Sequence, residues 1–463
     1  MQTILSVGFL VCCFGVLFGF GITSIAGVLD TLVGVFGLSL SGQESLVAVL
    51  VIACFFGAVS ASPWSRRYGR RPVMLLAGIL AVAGYALILT EPDYWLLIGA
   101  RIVLGFSVGL SSMVVPMYAA EVTPAERRGA VVALFQLAIT AGILLAYTLS
   151  LLFVGRLSWA QILGCGLVPA VLALAASLRL PESPRWLAAQ GQLKAALAVS
   201  RRLELEAEWP DIQAHAARAT VARGAAMPWR QRLGQGSTLA VLMFCSLLFV
   251  LQNFSGIDAI LYYAPHVFQS LGFAPDTAAL AATFGLGLIN CLATLVALAV
   301  VDSAGRRPLL IGGSAVMVIG LGAVVAASLF GWAWIGMIGL GLFIMAFAVS
   351  LGPMPYVLMS ELFPTAIREQ GIATASAVSW LFNAAIAFTF LSVAQWLGLA
   401  GTIGIFLLVC LASLVICWFF LPETRRVPLE AIEANVLAGR PLPALGRHEA
   451  ETAARPPPLP ATP

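Results

Sequence analysis

Charge is scarce in this chain. Of its 463 residues only 10% are Asp, Glu, Lys or Arg, against about 25% in soluble domains, so a water-soluble globule is excluded. Histidine is limited to positions 215, 266 and 448, and no Ser/His/Asp or Cys/His arrangement and no phosphate-binding glycine loop accompanies them, which speaks against an enzyme and against a bound cofactor. The eight cysteines fall inside apolar runs without CxxC or Cys/His spacing; they read as small buried residues, neither disulfides nor metal ligands. A basic n-region and a small-residue cleavage site are both missing near Met1, so a cleaved signal peptide is not expected.

What the chain does have is hydrocarbon. Sixty per cent of its residues are hydrophobic and its mean hydropathy is +0.98. Apolar runs of about 20 residues, each long enough to cross a bilayer as a helix, recur at 4–28, 44–63, 73–90, 94–118, 129–153 and 158–178, and again at 238–262, 276–301, 308–330, 332–358, 370–394 and 398–421. The expected fold is therefore an all-α membrane protein of twelve transmembrane helices in two six-helix bundles, 1–178 and 238–421. A polar linker, 179–237, joins them, with helical spacing in 192–207 and 209–223 that predicts short amphipathic helices. The tail, 422–463, becomes Pro-rich and is expected to be disordered from about 438; its PPPLP is more readily a passive end than a polyproline ligand.

Positive charge sits in alternate loops: Arg66, Arg67, Arg70 and Arg71; Arg127 and Arg128; the linker; Arg306 and Arg307; Arg368; Arg425 and Arg426. The opposite loops carry Asp30, Glu44, Glu91, Asp93 and Asp276, with Arg156 the only cation. By the rule that basic loops stay inside, both termini are expected in the cytoplasm, and the protein in a plasma or bacterial inner membrane.

The punctuation occurs twice. Gly69-Arg70-Arg71-Pro72 is matched by Gly305-Arg306-Arg307-Pro308, Glu121 with Arg128 by Glu361 with Arg368, and Pro181-Glu182-Ser183 by Pro422-Glu423-Thr424, at offsets of 236, 240 and 241 residues. A half with an even number of spans, repeated in one orientation, implies two bundles about an axis along the membrane normal with a site at their interface. Positive charge alone predicts the arginines but not a glutamate seven residues before one of them. The repeated Arg and Glu groups, with Arg185 and Asp302 beside them, are therefore expected to pair and separate as a gate on one face.

Inside one apolar span, Gln252, Asn253, Ser255 and Asp258 interrupt the hydrocarbon, and polar groups there need a partner or a task. On an unbroken helix Asp258 lies about 240° around from Gln252. Gly256 between them allows the helix to unwind and line a cavity. Two further stripes, Gln136/Thr140/Tyr147 and Thr283/Asn290/Thr294, each fall within about 40° on an ideal helix. Amides both donate and accept, as a solute rich in hydroxyls requires; the threonines are more simply read as holding helices together.

Taken together, Tyr68-Gly69-Arg70-Arg71, Pro116-Met117-Tyr118, Pro181-Glu182-Ser183-Pro184-Arg185-Trp186, the 252–263 stretch, Asp302 with Gly305-Arg306-Arg307, Glu361-Leu362-Phe363-Pro364 and Pro422-Glu423-Thr424 make the chain resemble the sugar porter family of the major facilitator superfamily from Gly15 to Glu433. The resemblance implies alternating access around a central sugar site, with Gln136, Gln252, Asn253, Asn290, Tyr356, Ser379, Trp380 and Asn383 at or near sugar-contact positions. Tyr356 and Trp380 would offer flat faces to sugar C–H groups. Against the family pattern, Asp258 replaces Asn, Tyr356 replaces Trp, Ser379 replaces an amide and Arg66 replaces the loop Asp. Proton-coupled members carry a first-helix Asp near the fourth-helix Arg; here Gly21 follows Phe20 while Arg101 is kept. That pattern favours facilitated diffusion of a monosaccharide or polyol, and Asp258 leaves proton symport open as the alternative. A non-transporting sensor would need a longer tail, and drug efflux a more apolar cavity. Partners are limited to the solute and the bilayer, with no nucleic acid, and the protein is expected to work as a monomer.

Overall fold

The computed structural model describes residues 2–214, 233–275, 277–364, 367–425 and 427–446. Eleven segments among them are helical, long and apolar enough to span a bilayer: α1 Leu5–Gly27, α2 Leu40–Tyr68, α3 Arg70–Ile88, α4 Tyr94–Val122, α5 Gly129–Phe153, α6 Trp159–Arg179, α7 Thr238–Tyr262, α8 Thr277–Val300, α9 Arg306–Phe330, α10 Ala333–Leu362 and Gln370–Phe420. The last is two spans. Its backbone leaves the helix at Gly398 (φ 69°, ψ 173°), and the rings of Phe390 and Phe406 stack with centroids 6.2 Å apart, although a straight helix would separate those positions by about 24 Å. The chain therefore folds back at Gly398, giving α11 (370–397) and α12 (399–420), and the twelve expected spans are present.

The duplication read from the sequence is visible in the packing. Contacts between the bundles run α2 against α11, α5 against α8 and α1 against α7. Exchanging the halves turns α2 into α8 and α11 into α5, so the first two contacts are images of each other under one two-fold relation. Within the first bundle, glycines let backbones meet: a Cβ on Gly105 or Gly109 in α4 would overlap the α2 carbonyls of Leu50 and Cys54. Lipid supplies no hydrophobic drive between helices, so this close approach is what holds them.

At the arginine-rich end, each repeat motif staples its own bundle. Arg70 forms a two-pronged pair with Glu121 at 2.7 and 2.9 Å. Glu182 accepts the backbone N–H groups of Arg70, Arg71 and Ser183, which bind the start of α3 to the end of α6. Burial pushes the Glu182 carboxyl up, and those N–H groups pull it back. The second bundle repeats the pattern: Arg306 pairs with Glu361 at 2.8 Å, Glu423 accepts from the N–H groups of Arg306 and Arg307, and Arg368 donates to the Phe363 carbonyl. The first bundle's staple forms without the family's loop Asp; at that position the Arg66 carbonyl accepts from Trp186 and Gln190 of the linker. Arg185 pairs with Glu208 inside the linker. The side chains of Arg128 and Asp302 lie outside the described residues.

The polar segments differ in detail from the expectation. Of the expected 192–207 helix, Leu193–Arg202 is helical; an unexpected short helix, Pro184–Ala189, precedes it, and most of the expected 209–223 helix lies outside the described residues. The tail is ordered from 438 to 446: helix Leu429–Leu437 is followed by a 3-10 turn, Leu442–Ala444, and by Leu445, which is fully buried, while Asn435 donates to the Leu445 carbonyl and Ser237 to that of Arg440. Proline content alone predicts disorder; one apolar anchor and two side-chain bonds reverse it as far as Gly446. PPPLP lies outside the described residues.

Gly256 is left-handed (φ 88°) and splits α7. A Cβ there would overlap the Phe406 ring. Gly256→Ala is expected to lower the thermal midpoint through both the ring and the backbone, the latter worth about 1–2 kcal/mol. Adding Phe406→Ala should recover the steric part only, and full recovery in the double variant would show that the left-handed backbone matters little.

Candidate functional site

The site begins with two broken helices. In α7 the break at Gly256 changes which side chains converge. Asn253 and Asp258 are five residues apart and would point about 140° apart on one cylinder. Instead both reach α11: Asn253 donates to Ser379 at 3.1 Å and Asp258 accepts from Asn383 at 2.7 Å. Ser379 and Asn383 are four residues apart and so share a helix face. Tyr262 completes the group by donating to the Asn383 carbonyl oxygen at 3.1 Å. The amide of Asn383 is thus held at both ends.

Gln252 turns elsewhere, which corrects the expectation that the break would aim it with Asp258. Its amide donates to the carbonyls of Leu351 and Gly352 at 3.1 and 2.8 Å. Those acceptors are free because α10 is itself interrupted between Val349 and Met354. In a continuous helix Leu351 would accept from residue 355, but that residue is Pro355 and has no N–H. Gln252 supplies the missing donor, so its buried side chain bridges the two breaks. The Gly352-Pro353-Met354-Pro355 run was the available signal for this second break, and reading 332–358 as one span passed over it.

Other predicted residues separate into those that face open space and those spent on packing. Tyr356 is 50% exposed, stands against Phe249 with ring centroids 4.8 Å apart and lies beside Ser379. Gln136 is exposed and Asn290 buried, and among the described residues neither side chain is hydrogen-bonded, which leaves their amides free for a solute. Trp380 meets Phe18 of α1 at 5.8 Å, and Phe18 in turn meets Phe135 of α5, so aromatics of both bundles close round the same region. Tyr147 is not a solute contact: fully buried, it donates to the Leu261 carbonyl beside the α7 break. Thr140, Thr283 and Thr294 do not join helices either. Each hydroxyl bonds a carbonyl of its own helix at 2.8–2.9 Å, the local solution open to threonine in hydrocarbon.

At the end away from the arginines the bundles are clasped. Glu44, 2% exposed in α2, accepts from both N–H and Oγ of Ser392 in α11, each at 2.7 Å. Asp30 accepts from Gln269 at 2.9 Å. The sequence placed these acids in the loops opposite the arginines, but nothing in it named Ser392 or Gln269 as their partners. Arg101 is buried in α4 and bonded to the Leu46 and Val47 carbonyls of α2, with no carboxylate in contact with it among the described residues.

Two six-helix bundles, clasped at one end and enclosing an amide-and-aromatic site between broken helices, define a membrane carrier for a small hydroxylated solute. The family described as Sugar (and other) transporter matches residues 7–436, and the chain belongs to it. It is 33% identical over 451 residues to the galactose-proton symporter of Escherichia coli K12, covering 95% of this chain and 96% of that one. Identity to the arabinose-proton symporter of the same strain is 33% over 442 residues, 93% of each. Among solved structures, the xylose transporter XylE of E. coli in a partially occluded inward-open conformation matches with a TM-score of 0.79 and 29% identity over 92% of this chain and all of that one. The XylE proton:xylose symporter bound to 6-bromo-6-deoxy-D-glucose gives 0.77 and 30%, over 96% and 98%. The protein is thus a multi-pass sugar transporter of the major facilitator fold, not an enzyme.

Gln252 and Gln136 should respond differently to truncation. Gln252→Ala strands two buried carbonyls and is expected to cost about 1–3 kcal/mol of stability, whereas Gln136→Ala, on an exposed side chain, should leave the thermal midpoint within a degree or so and weaken sugar binding. Thermal unfolding set beside tracer-sugar binding checks both, and equal midpoint losses would refute the division.

Proposed function

We propose that this chain moves a monosaccharide or polyol across the membrane together with a proton, and that Asp258 is the group that carries it. The Asp258–Asn383–Tyr262 chain is the observation that bears the reading. A titratable carboxylate touches the amide of Asn383, which the family resemblance assigns to sugar contact, on the face that also presents Ser379. An ionised Asp258 can only accept, so it holds the Asn383 NH2 group. A protonated Asp258 can donate, which frees that NH2 for a sugar hydroxyl and adds a donor of its own. Proton binding and sugar binding then favour each other, and by linkage the effect is reciprocal.

Gly21 beside a retained Arg101 pointed to facilitated diffusion. The names of the similar galactose and arabinose carriers favour coupling instead, and Asp258 gives it a place without the first-helix carboxylate. The substrate-binding set is Gln136, Asn253, Asp258, Asn290, Tyr356, Ser379, Trp380 and Asn383; Gln252, expected among them, is spent on the α10 carbonyls. The staples Arg70–Glu121 and Arg306–Glu361, with Arg71, Glu182, Arg307, Glu423 and Arg368, keep each bundle rigid while the two rock, and Arg128, Arg185 and Asp302 belong to the same cytoplasmic face. In this reading the arginine-rich end and both termini face the cytoplasm, the Glu44–Ser392 clasp closes the outer side, and one copy of the chain suffices.

In proteoliposomes, sugar accumulation is expected to require an inward proton gradient and to collapse with an uncoupler. Asp258→Asn should lose accumulation while keeping sugar exchange within about tenfold of the parent, because exchange needs no net proton movement. Accumulation indifferent to the gradient in the parent protein would overturn coupling; accumulation that survives in Asp258→Asn would move it to another group. A counterflow panel of labelled hexoses, pentoses and inositol run alongside assigns the solute.

A further inference from the structure

Tyr147 belongs to the first bundle but is seated in the second. It lies in the last two turns of α5, toward the end where Glu44 and Asp30 clasp the bundles, and is 1% exposed. Its ring rests against the bare face of Gly287 in α8, where a Cβ would stand 2.7 Å from Cδ2. Its hydroxyl donates to the Leu261 carbonyl of α7 at 2.6 Å.

The sequence explains why that carbonyl is open to a partner. In a continuous helix Leu261 would accept from residue 265, but that residue is Pro265 and has no N–H. The missing donor comes from the opposite bundle. The tyrosines next in the chain turn the other way, to α11 of their own bundle: Tyr262 donates to Asn383 at 3.1 Å and Tyr263 to the Ala387 carbonyl at 2.8 Å. The outer piece of α7 is thus pinned to its own bundle by two hydroxyls and to the other bundle by one. When the bundles part on this side, α5 leaves α7 and α8, and the Tyr147–Leu261 bond is the one that breaks. The carbonyl then meets the water that enters the gap.

We infer that Tyr147 is a positioning residue for the transport cycle, a latch made only while the clasped side is closed, and that its hydroxyl sets how much of the protein rests in that state. Loss of the hydroxyl leaves the Leu261 carbonyl unmet in the closed arrangement, where no water reaches it, and changes little in the open one. The inference rests on the two bundles rocking as proposed above, but not on a proton or on Asp258.

Thr283 supplies the reporter. It lies on the α8 face of Gly287, one turn nearer the clasped end, is 1% exposed and bonds only its own helix. A single cysteine at that position, in purified full-length protein freed of its native cysteines, is expected to react with a hydrophilic maleimide only when that side opens. Tyr147→Phe, which keeps the ring in its seat, should speed the labelling about tenfold or more, as loss of a buried hydrogen-bond partner predicts, with the thermal midpoint measured alongside. Gly287→Ala, which pushes the ring out, should speed it too, but should add nothing once the ring is removed in Tyr147→Ala. In oriented vesicles Tyr147→Phe should lower the half-saturating sugar concentration on the clasped side and raise it on the other; a generally loosened fold would not lower it on either side. Labelling of Tyr147→Phe at the parent rate, an equal response to Gly287→Ala with and without the ring, or half-saturation moving the same way on both sides would each overturn the inference. The labelling arms need neither transport nor a proton gradient, so they decide it whether or not coupling holds.

Discussion

Every backbone and side-chain polar group that this chain places in hydrocarbon must find a partner inside the protein, because lipid offers none. The consequences are clearest where helices break. Opening α10 at Gly352-Pro353-Met354-Pro355 frees the carbonyls of Leu351 and Gly352, and Gln252 from the other broken helix closes them. Opening α7 at Gly256 re-aims Asn253 and Asp258, and α11 answers with Ser379 and Asn383 one turn apart. The groups that satisfy the breaks are therefore largely the groups proposed to form the site. Side chains held this way lose little freedom when a solute arrives, which is the basis of preorganised recognition.

Rigid halves and a changeable interface follow from where the remaining polar groups are spent. At the arginine-rich end they join helices of the same bundle, through charge-assisted and partly bidentate contacts that are stronger than neutral ones. At the other end they join the bundles to each other, through Glu44 with Ser392 and Asp30 with Gln269. Rocking two stiff bodies about a central site requires this distribution, since strain must gather at the interface and not inside a bundle. Arg101 stands outside both patterns, buried within one bundle and bonded, among the described residues, only to carbonyls.

Much of the architecture was legible in order along the chain. Twelve apolar runs, the alternation of Arg-rich and acidic loops and three markers repeated at nearly one offset each arise locally, so the span count, the two bundles and the duplicated half could be read without coordinates. The Gly256 break was legible for the same reason: a glycine amid polar residues in hydrocarbon is a local signal. Proline content in the tail was a local signal too, but up to Gly446 it misled, because burial of Leu445 against the C-terminal bundle depends on residues far away.

By itself the sequence determined that the protein crosses the membrane twelve times in two related halves, and which of its residues are polar enough to need partners. Only the tertiary structure decided who those partners are: that Tyr147 serves a carbonyl of α7 and not a solute, that Gln252 caps α10, that Asp258 meets Asn383, and that Arg101 meets no acid among the described residues. Composition and periodicity are properties of neighbours in sequence and are set by the one-dimensional order. Pairing across 99 residues from Gln252 to Leu351, or across 348 from Glu44 to Ser392, depends on how two bundles dock, and hydrophobic patterning is indifferent to that choice.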